Sequence, residues 1–153
     1  MLLFPSGEPF ATGMAHYAYQ PVNFREKANR IILNVYVESI QTQAYLDTGA
    51  VYLVCSPEVA TVLHLYGEES EKLFFRGRLY EGGLHRVSLT VPAEQGESAT
   101  IDVTAFVPDI HPDEEWPLEF PCILGMAGCL ERLRFAIDPF EDIIYFGVPT
   151  KDF

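Results

Sequence analysis

The apolar positions of the chain fall mostly into short β-rich runs separated by polar or glycine-containing breaks. Asn29 to Glu38 carries Ile31, Ile32, Leu33, Val35 and Val37, and Ser39 to Thr42 turns this run into a second strand that ends at residue 46. Lys72 to Tyr80 and Leu84 to Val91 form another pair around Glu81-Gly82-Gly83, where adjacent glycines allow the positive φ angles of a tight hairpin turn. Thr100 to Val107 predicts one more strand. One helix is expected after Ser56, with Ser56 as cap and Pro57 at the first helical position. Val59, Val62, Leu63 and Leu65 give it an apolar face, and Gly67 is placed to end it. Residues 1–28 read as an N-terminal extension, irregular or an edge strand between Phe10 and Tyr19, and Pro108 to Phe120 as a solvated acidic loop.

One stretch breaks this pattern chemically. In Ala44-Tyr45-Leu46-Asp47-Thr48-Gly49-Ala50-Val51-Tyr52-Leu53-Val54 an acid interrupts an apolar run, and burying an unpaired carboxylate there would be costly. Strand, tight loop, strand is the expected local structure, with Gly49 easing the turn and Asp47 presented at the tip.

Asp47-Thr48-Gly49-Ala50 between apolar strands resembles the acid loop of the retropepsin-like aspartic proteases. Pro121-Cys122-Ile123-Leu124-Gly125, followed by a short helical segment from Met126 to Leu133, resembles the strand and helix that this family packs behind the loop, and the segment from Arg134 to Gly147 is similar to the final hairpin of bacterial stand-alone members. The resemblance implies a mainly β fold: one small closed acid-protease barrel per chain, with one or two short helices and residues 1–153 as a single domain. It implies an aspartic endopeptidase in which Asp47 is the general acid/base. Thr48 would bond the partner loop across a twofold axis, and Gly49 would bring backbone N–H groups to the carboxylates. Ile123, Leu124 and Gly125 would support the loop, and Glu81, Gly82, Gly83 and Leu84 would form the tip of a flap over an extended peptide.

Aspartic hydrolysis needs two neighbouring carboxylates sharing a proton, whereas the sequence holds a single Asp-Thr-Gly. An active enzyme must therefore be a homodimer with one Asp47 from each subunit. Viral members place two acids after the Ala, where this chain has Val51 and Tyr52, so Arg132 or Arg134 must find other partners and the substrate contacts made by those acids do not carry over. The alternative is a peptide- or protein-binding module that keeps the fold and uses Asp47 only as an acceptor.

Composition narrows the partners. At 153 residues with 48% hydrophobic content, the chain is long enough for one core burying roughly two-thirds of its unfolded surface. A net charge of -12 disfavours nucleic acid and anionic membrane surfaces. The N-terminal apolar run is too short for a signal peptide or span. Three cysteines, Cys55, Cys122 and Cys129, suggest neither a disulfide framework nor a zinc site, which fits a reducing cytoplasm. Cys129 near a helix start is more readily a small buried hydrophobe than a thiolate. The four histidines, His16, His64, His85 and His111, are scattered, so neither metal nor cofactor is expected.

Overall fold

The structure, a computed structural model, describes residues 2–23, 26–65, 69–75, 77–110 and 122–149. Among these the chain runs β1 (Leu2–Leu3), β2 (Pro9–Ala11), β3 (Gly13–His16), β4 (Ala18–Gln20), β5 (Arg30–Val37), β6 (Ile40–Leu46), β7 (Leu53–Cys55) and α1 (Pro57–Leu63). It continues through β8 (Glu69–Phe75), β9 (Arg78–Val91), β10 (Gln95–Gly96), β11 (Ala99–Pro108) and β12 (Cys122–Leu124). A 3-10 turn (Leu130–Arg132) then leads to β13 (Arg134–Asp138) and β14 (Ile143–Gly147). The mainly β fold expected from the apolar runs is the fold observed. No helix among the described residues is long and apolar enough to cross a membrane.

The large sheet has the order β4-β5-β6-β12-β7-β11-β9-β8, and β5 also pairs with β9 through Tyr36↔Thr90 and Val37↔Leu89. That extra pairing links β5, β6, β12, β7, β11 and β9 into a ring. Strand alternation gives the ring two apolar faces. Leu33, Val35, Ala44, Leu46, Leu53, Val103, Ala105 and Leu124 point into the main core, whereas Ile32, Tyr45, Val54, Phe106 and Ile123 form a second cluster on the opposite face. A one-residue slip of β6 would exchange Tyr45 for Ala44 and Leu46, so the sizes of these side chains fix its register. Full burial of residues such as Phe106 and Tyr45 contributes about 1.5–3 kcal/mol each.

A second sheet, β10-β3-β14-β13, is formed wholly within the chain. It draws on the N-terminal stretch: β3 lies between β10 and β14, and β4 forms the edge of the large sheet beside β5. The expected irregular or edge segment is thus strand-rich, and β3 is an interior strand whose Gly13 and Ala15 are buried.

The helix follows its capping signals, but Val62, expected on its apolar face, is exposed. Ser56 Oγ accepts the Val59 N–H at 3.2 Å, Pro57 starts the helix, and His64 ends it in the left-handed region at φ 53°. Gly67 lies outside the described residues, as do His111, the rest of the acidic loop beyond Ile110, and Pro121.

The hairpin between β8 and β9 corrects one expectation. Phe75 pairs with Arg78, so the chain reverses between these two residues, and Gly77 there has φ 75°. Glu81, Gly82, Gly83 and Leu84 are no turn; they lie inside β9, opposite Lys72, Glu71, Ser70 and Glu69 of β8. Gly82 also sits across from Pro108 of β11, and a Cβ there would stand 2.2 Å from the Val107 carbonyl oxygen and 2.8 Å from the Phe106 ring. The glycine serves a close approach of strands rather than a reversal of the chain.

Candidate active site

Asp47 follows directly on β6, and the loop it opens returns into β7. Between these two strands lies β12, parallel to β6 (Leu124↔Leu46) and antiparallel to β7 (Leu124↔Leu53). A strand from late in the chain is therefore wedged between the two ends of the acid loop. Ile123 and Leu124 are buried on opposite faces of it, each 1% exposed.

The backbone beyond β12 holds the loop from behind. Asp47 N–H donates to the Leu124 carbonyl at 3.0 Å, and Met126 N–H to the Ala50 carbonyl at 2.8 Å. Gly125 N–H donates to the Tyr52 carbonyl and Tyr52 N–H to the Ala127 carbonyl, both at 2.8 Å. Inside the loop, Ala50 N–H reaches the Asp47 carbonyl at 3.0 Å and Gly49 N–H reaches Asp47 Oδ1 at 3.1 Å. Asp47 and Ala50 are half-buried, whereas Thr48 and Gly49 are exposed. The carboxylate is thus fixed at a surface tip with backbone support, the placement its position in the apolar run implied.

The glycines divide this work unevenly. Gly49 is outside the left-handed region, and a Cβ on it would meet only Asp47 Oδ1 at 3.3 Å. Thr48 and Gly49 form the turn that the Ala50 N–H to Asp47 carbonyl bond closes, and the positive φ of the loop, 64°, falls at Tyr52, which makes two backbone bonds to the segment behind it. Gly125 is the position with no room: a Cβ would stand 2.5 Å from the Tyr52 oxygen and 2.7 and 2.8 Å from the carbonyl carbons of Val51 and Ala50. Gly125→Ala is therefore expected to push the loop off its support. It should cost about 3 kcal/mol and roughly 10 °C in Tm, while Gly49→Ala stays within about 1 kcal/mol. Equal melting temperatures for the two variants would contradict this reading.

Sequence reasoning missed part of the support. Glu131 Oε1 accepts the Gly128 N–H at 2.7 Å, and Thr104 N–H of β11 donates to the Gly128 carbonyl at 2.9 Å, tying the 3-10 turn to the ring. The acid three residues after Gly128 has capping spacing and could have signalled the first contact. Arg132 donates to the Asp102 carbonyl at 2.9 Å, and Arg134 lies 5.0 Å from the Phe4 ring centre. Both arginines therefore have partners away from the acid loop.

The cysteines sit beneath the site as apolar filler. Cys55 and Cys122 face each other across β7 and β12, and the hydrogen bond between them together with burial pushes the Cys55 thiol up; burial pushes Cys129 up to about 12. All three are free and buried. His16 pairs with Glu94 at 2.7 Å on the surface, and His85 lies in β9 opposite Ala105. Among the described residues no group of three His, Cys, Asp or Glu side chains could hold a metal ion.

The architecture is similar to that of solved structures. A retropepsin-like aspartic protease from Rickettsia conorii superposes with a TM-score of 0.56 at 18% sequence identity, covering 88% of this chain and 90% of that one. The retroviral protease-like domain of Ddi1 from Leishmania major overlaps with a TM-score of 0.45 at 11% identity, covering 81% of this chain and 97% of that one. No protein-family model and no curated protein sequence matches the chain. With β12 wedged behind the acid loop and a long β8–β9 hairpin beside it, the chain has the retropepsin-like fold.

Proposed function

We propose that the chain is an aspartic endopeptidase, acting in the cytoplasm as a homodimer with one Asp47 from each subunit. The observation that carries this is the Asp47 carboxylate, held at an accessible loop tip by Gly49 N–H and, through the backbone, by Leu124. In the dimer the ring of strands acts as a small closed barrel within a single domain, residues 1–153, and two such tips meet. One carboxylate takes a proton from the attacking water while the other hydrogen-bonds the scissile carbonyl. The exposed Thr48 hydroxyl bonds the partner's loop and keeps the pair in register. Ile123, Leu124 and Gly125 stop the loop sinking inward.

The flap in this reading is the β8–β9 hairpin, which reverses between Phe75 and Arg78. Glu81, Gly82, Gly83 and Leu84 form its shaft, and the hairpin closes over an extended peptide to exclude water. No cofactor takes part.

The test is digestion of a peptide library by the wild type beside Asp47→Asn. Cleavage by the wild type alone supports the dyad, and equal cleavage by both removes it. Binding of a peptide without cleavage by either leaves a binding module.

Ala50 sets the pH range. A Ser there could donate a hydrogen bond that favours the charged carboxylates, and Ala lacks that donor. Wild-type kcat/KM should therefore extend above about pH 5, and Ala50→Ser should move the profile toward lower pH. A wild-type profile confined below about pH 4 would count against this role of Ala50.

A further inference from the structure

Arg30 opens β5, and its guanidinium carbon lies 5.4 Å from the centre of the Tyr45 ring. Tyr45 is fully buried, and alternation along β6 puts it on the same face as Asp47, roughly 7 Å away along the strand. That face is floored by Ile32, Val54, Phe106 and Ile123, with Ala50 and Val51 of the acid loop packed against it. Arg30 therefore stands at the margin of an apolar floor that begins at the candidate carboxylate.

Its guanidinium is underused. Arg30 Nε is shielded from water and has no hydrogen-bond partner, and no carboxylate pairs with Arg30 among the described residues. This occurs in a chain with 22 Asp and Glu against 10 Lys and Arg. Arg132 and Arg134, by contrast, donate to backbone carbonyls. A buried donor left unfilled costs about 1–3 kcal/mol, more on a charged group. A carboxylate offsets that cost by taking two N–H groups of the planar fork at once.

We infer that Arg30 is a specificity-determining residue that binds the side-chain carboxylate of a Glu or Asp in the peptide substrate. The inference rests on the peptidase reading. The strand distance from Asp47 to Tyr45 plus the offset of the guanidinium puts the charge at most roughly 12 Å from the reacting carboxylate. An extended peptide advances roughly 3.3 Å per residue, so the acidic residue lies within about four positions of the scissile bond.

The test uses fluorogenic ten-residue peptides with a Phe-Leu centre and Glu or Gln at the second, third or fourth position on either side. At one position the wild type should cleave the Glu peptide at least about ten-fold better in kcat/KM than its Gln twin, with the difference in KM. Arg30→Met should bring the ratio close to one, and Arg30→Lys, which keeps the charge but not the fork, should retain part of it. A ratio unchanged in Arg30→Met, or a wild-type preference for Gln at every position, would overturn the assignment. So would an Arg30→Met variant whose only defect is weaker self-association, since Arg30 would then pair with a second copy of the chain. Anisotropy of the same peptides, fluorescein-labelled, on the full-length Asp47→Asn chain separates the two claims. An Arg30-dependent preference for Glu without wild-type cleavage sinks the peptidase and keeps the carboxylate site; cleavage without any such preference does the reverse.

Discussion

Asp47→Asn is expected to reduce kcat on any cleaved peptide by at least about 10³-fold while leaving the fold in place, because it removes the acid/base group from both subunits at once. Proton transfer by one positioned group is worth about 10²–10⁴ in rate, and in the proposed dimer no second acid of the same loop replaces it. The structural cost is small for a reason visible in the loop. Asn has the same shape as Asp, keeps an Oδ1 acceptor for the Gly49 N–H, and leaves the Asp47 N–H to Leu124 carbonyl bond untouched. Its melting temperature should stay within a few degrees of wild type, in line with a change below about 1 kcal/mol. Loss of cleavage with loss of folding would say nothing of the dyad, which is why the melt accompanies the rate. Cleavage within about ten-fold of wild type by a well-folded Asp47→Asn chain would end the aspartic mechanism.

The parts of the fold legible in the sequence are those whose cause is local. Ser56 and Pro57 announce a helix start because the cap bond from Val59 N–H to Ser56 Oγ closes within three residues and proline presets the first helical φ, and α1 begins there. The runs that become β5 and β6 are joined by a short turn, so their pairing needs no distant information, whereas the β13–β14 hairpin was recognisable by resemblance. Asp47 was legible as a loop residue because an apolar strand cannot accommodate an unpaired charge.

What stayed hidden depends on partners far along the chain. Gly82-Gly83 has the composition of a turn, but its glycines are required by the Phe106 ring and the Val107 carbonyl of β11, which only the folded sheet brings near. Gly77, the glycine at the turn, stands alone in sequence and gives a weaker signal. The N-terminal strand β3 has no clear pattern of its own and becomes a strand by docking onto β14, from the opposite end of the chain. At the site, Ile123-Leu124-Gly125 was recognisable by resemblance, but the reason Gly125 must be glycine lies in the backbone of residues 50–52. Likewise the turn lies at Thr48 and Gly49 as expected, but the positive φ of the loop lies at Tyr52, whose backbone bonds reach Gly125 and Ala127.

The single acid loop per chain turns concentration into a measurement of mechanism. If each site takes one Asp47 from each of two subunits, activity per milligram must fall on dilution, in proportion to total enzyme once the concentration is well below the dimer dissociation constant. The same geometry makes the inactive variant an inhibitor. Wild-type chains mixed with a tenfold excess of Asp47→Asn, and allowed to exchange subunits, would find a wild-type partner in roughly one pairing in eleven. The rate should drop to about one tenth of that of the same amount of wild type alone. Dilution and poisoning are independent, since the first depends on how tightly the chains associate and the second only on how many carboxylates a site needs. Activity that survives both, unchanged per wild-type chain down to a concentration at which the protein sediments as a monomer, would require a second acid within one chain. The retropepsin-like ring would then be only a scaffold for chemistry that Asp47 does not share with a copy of itself.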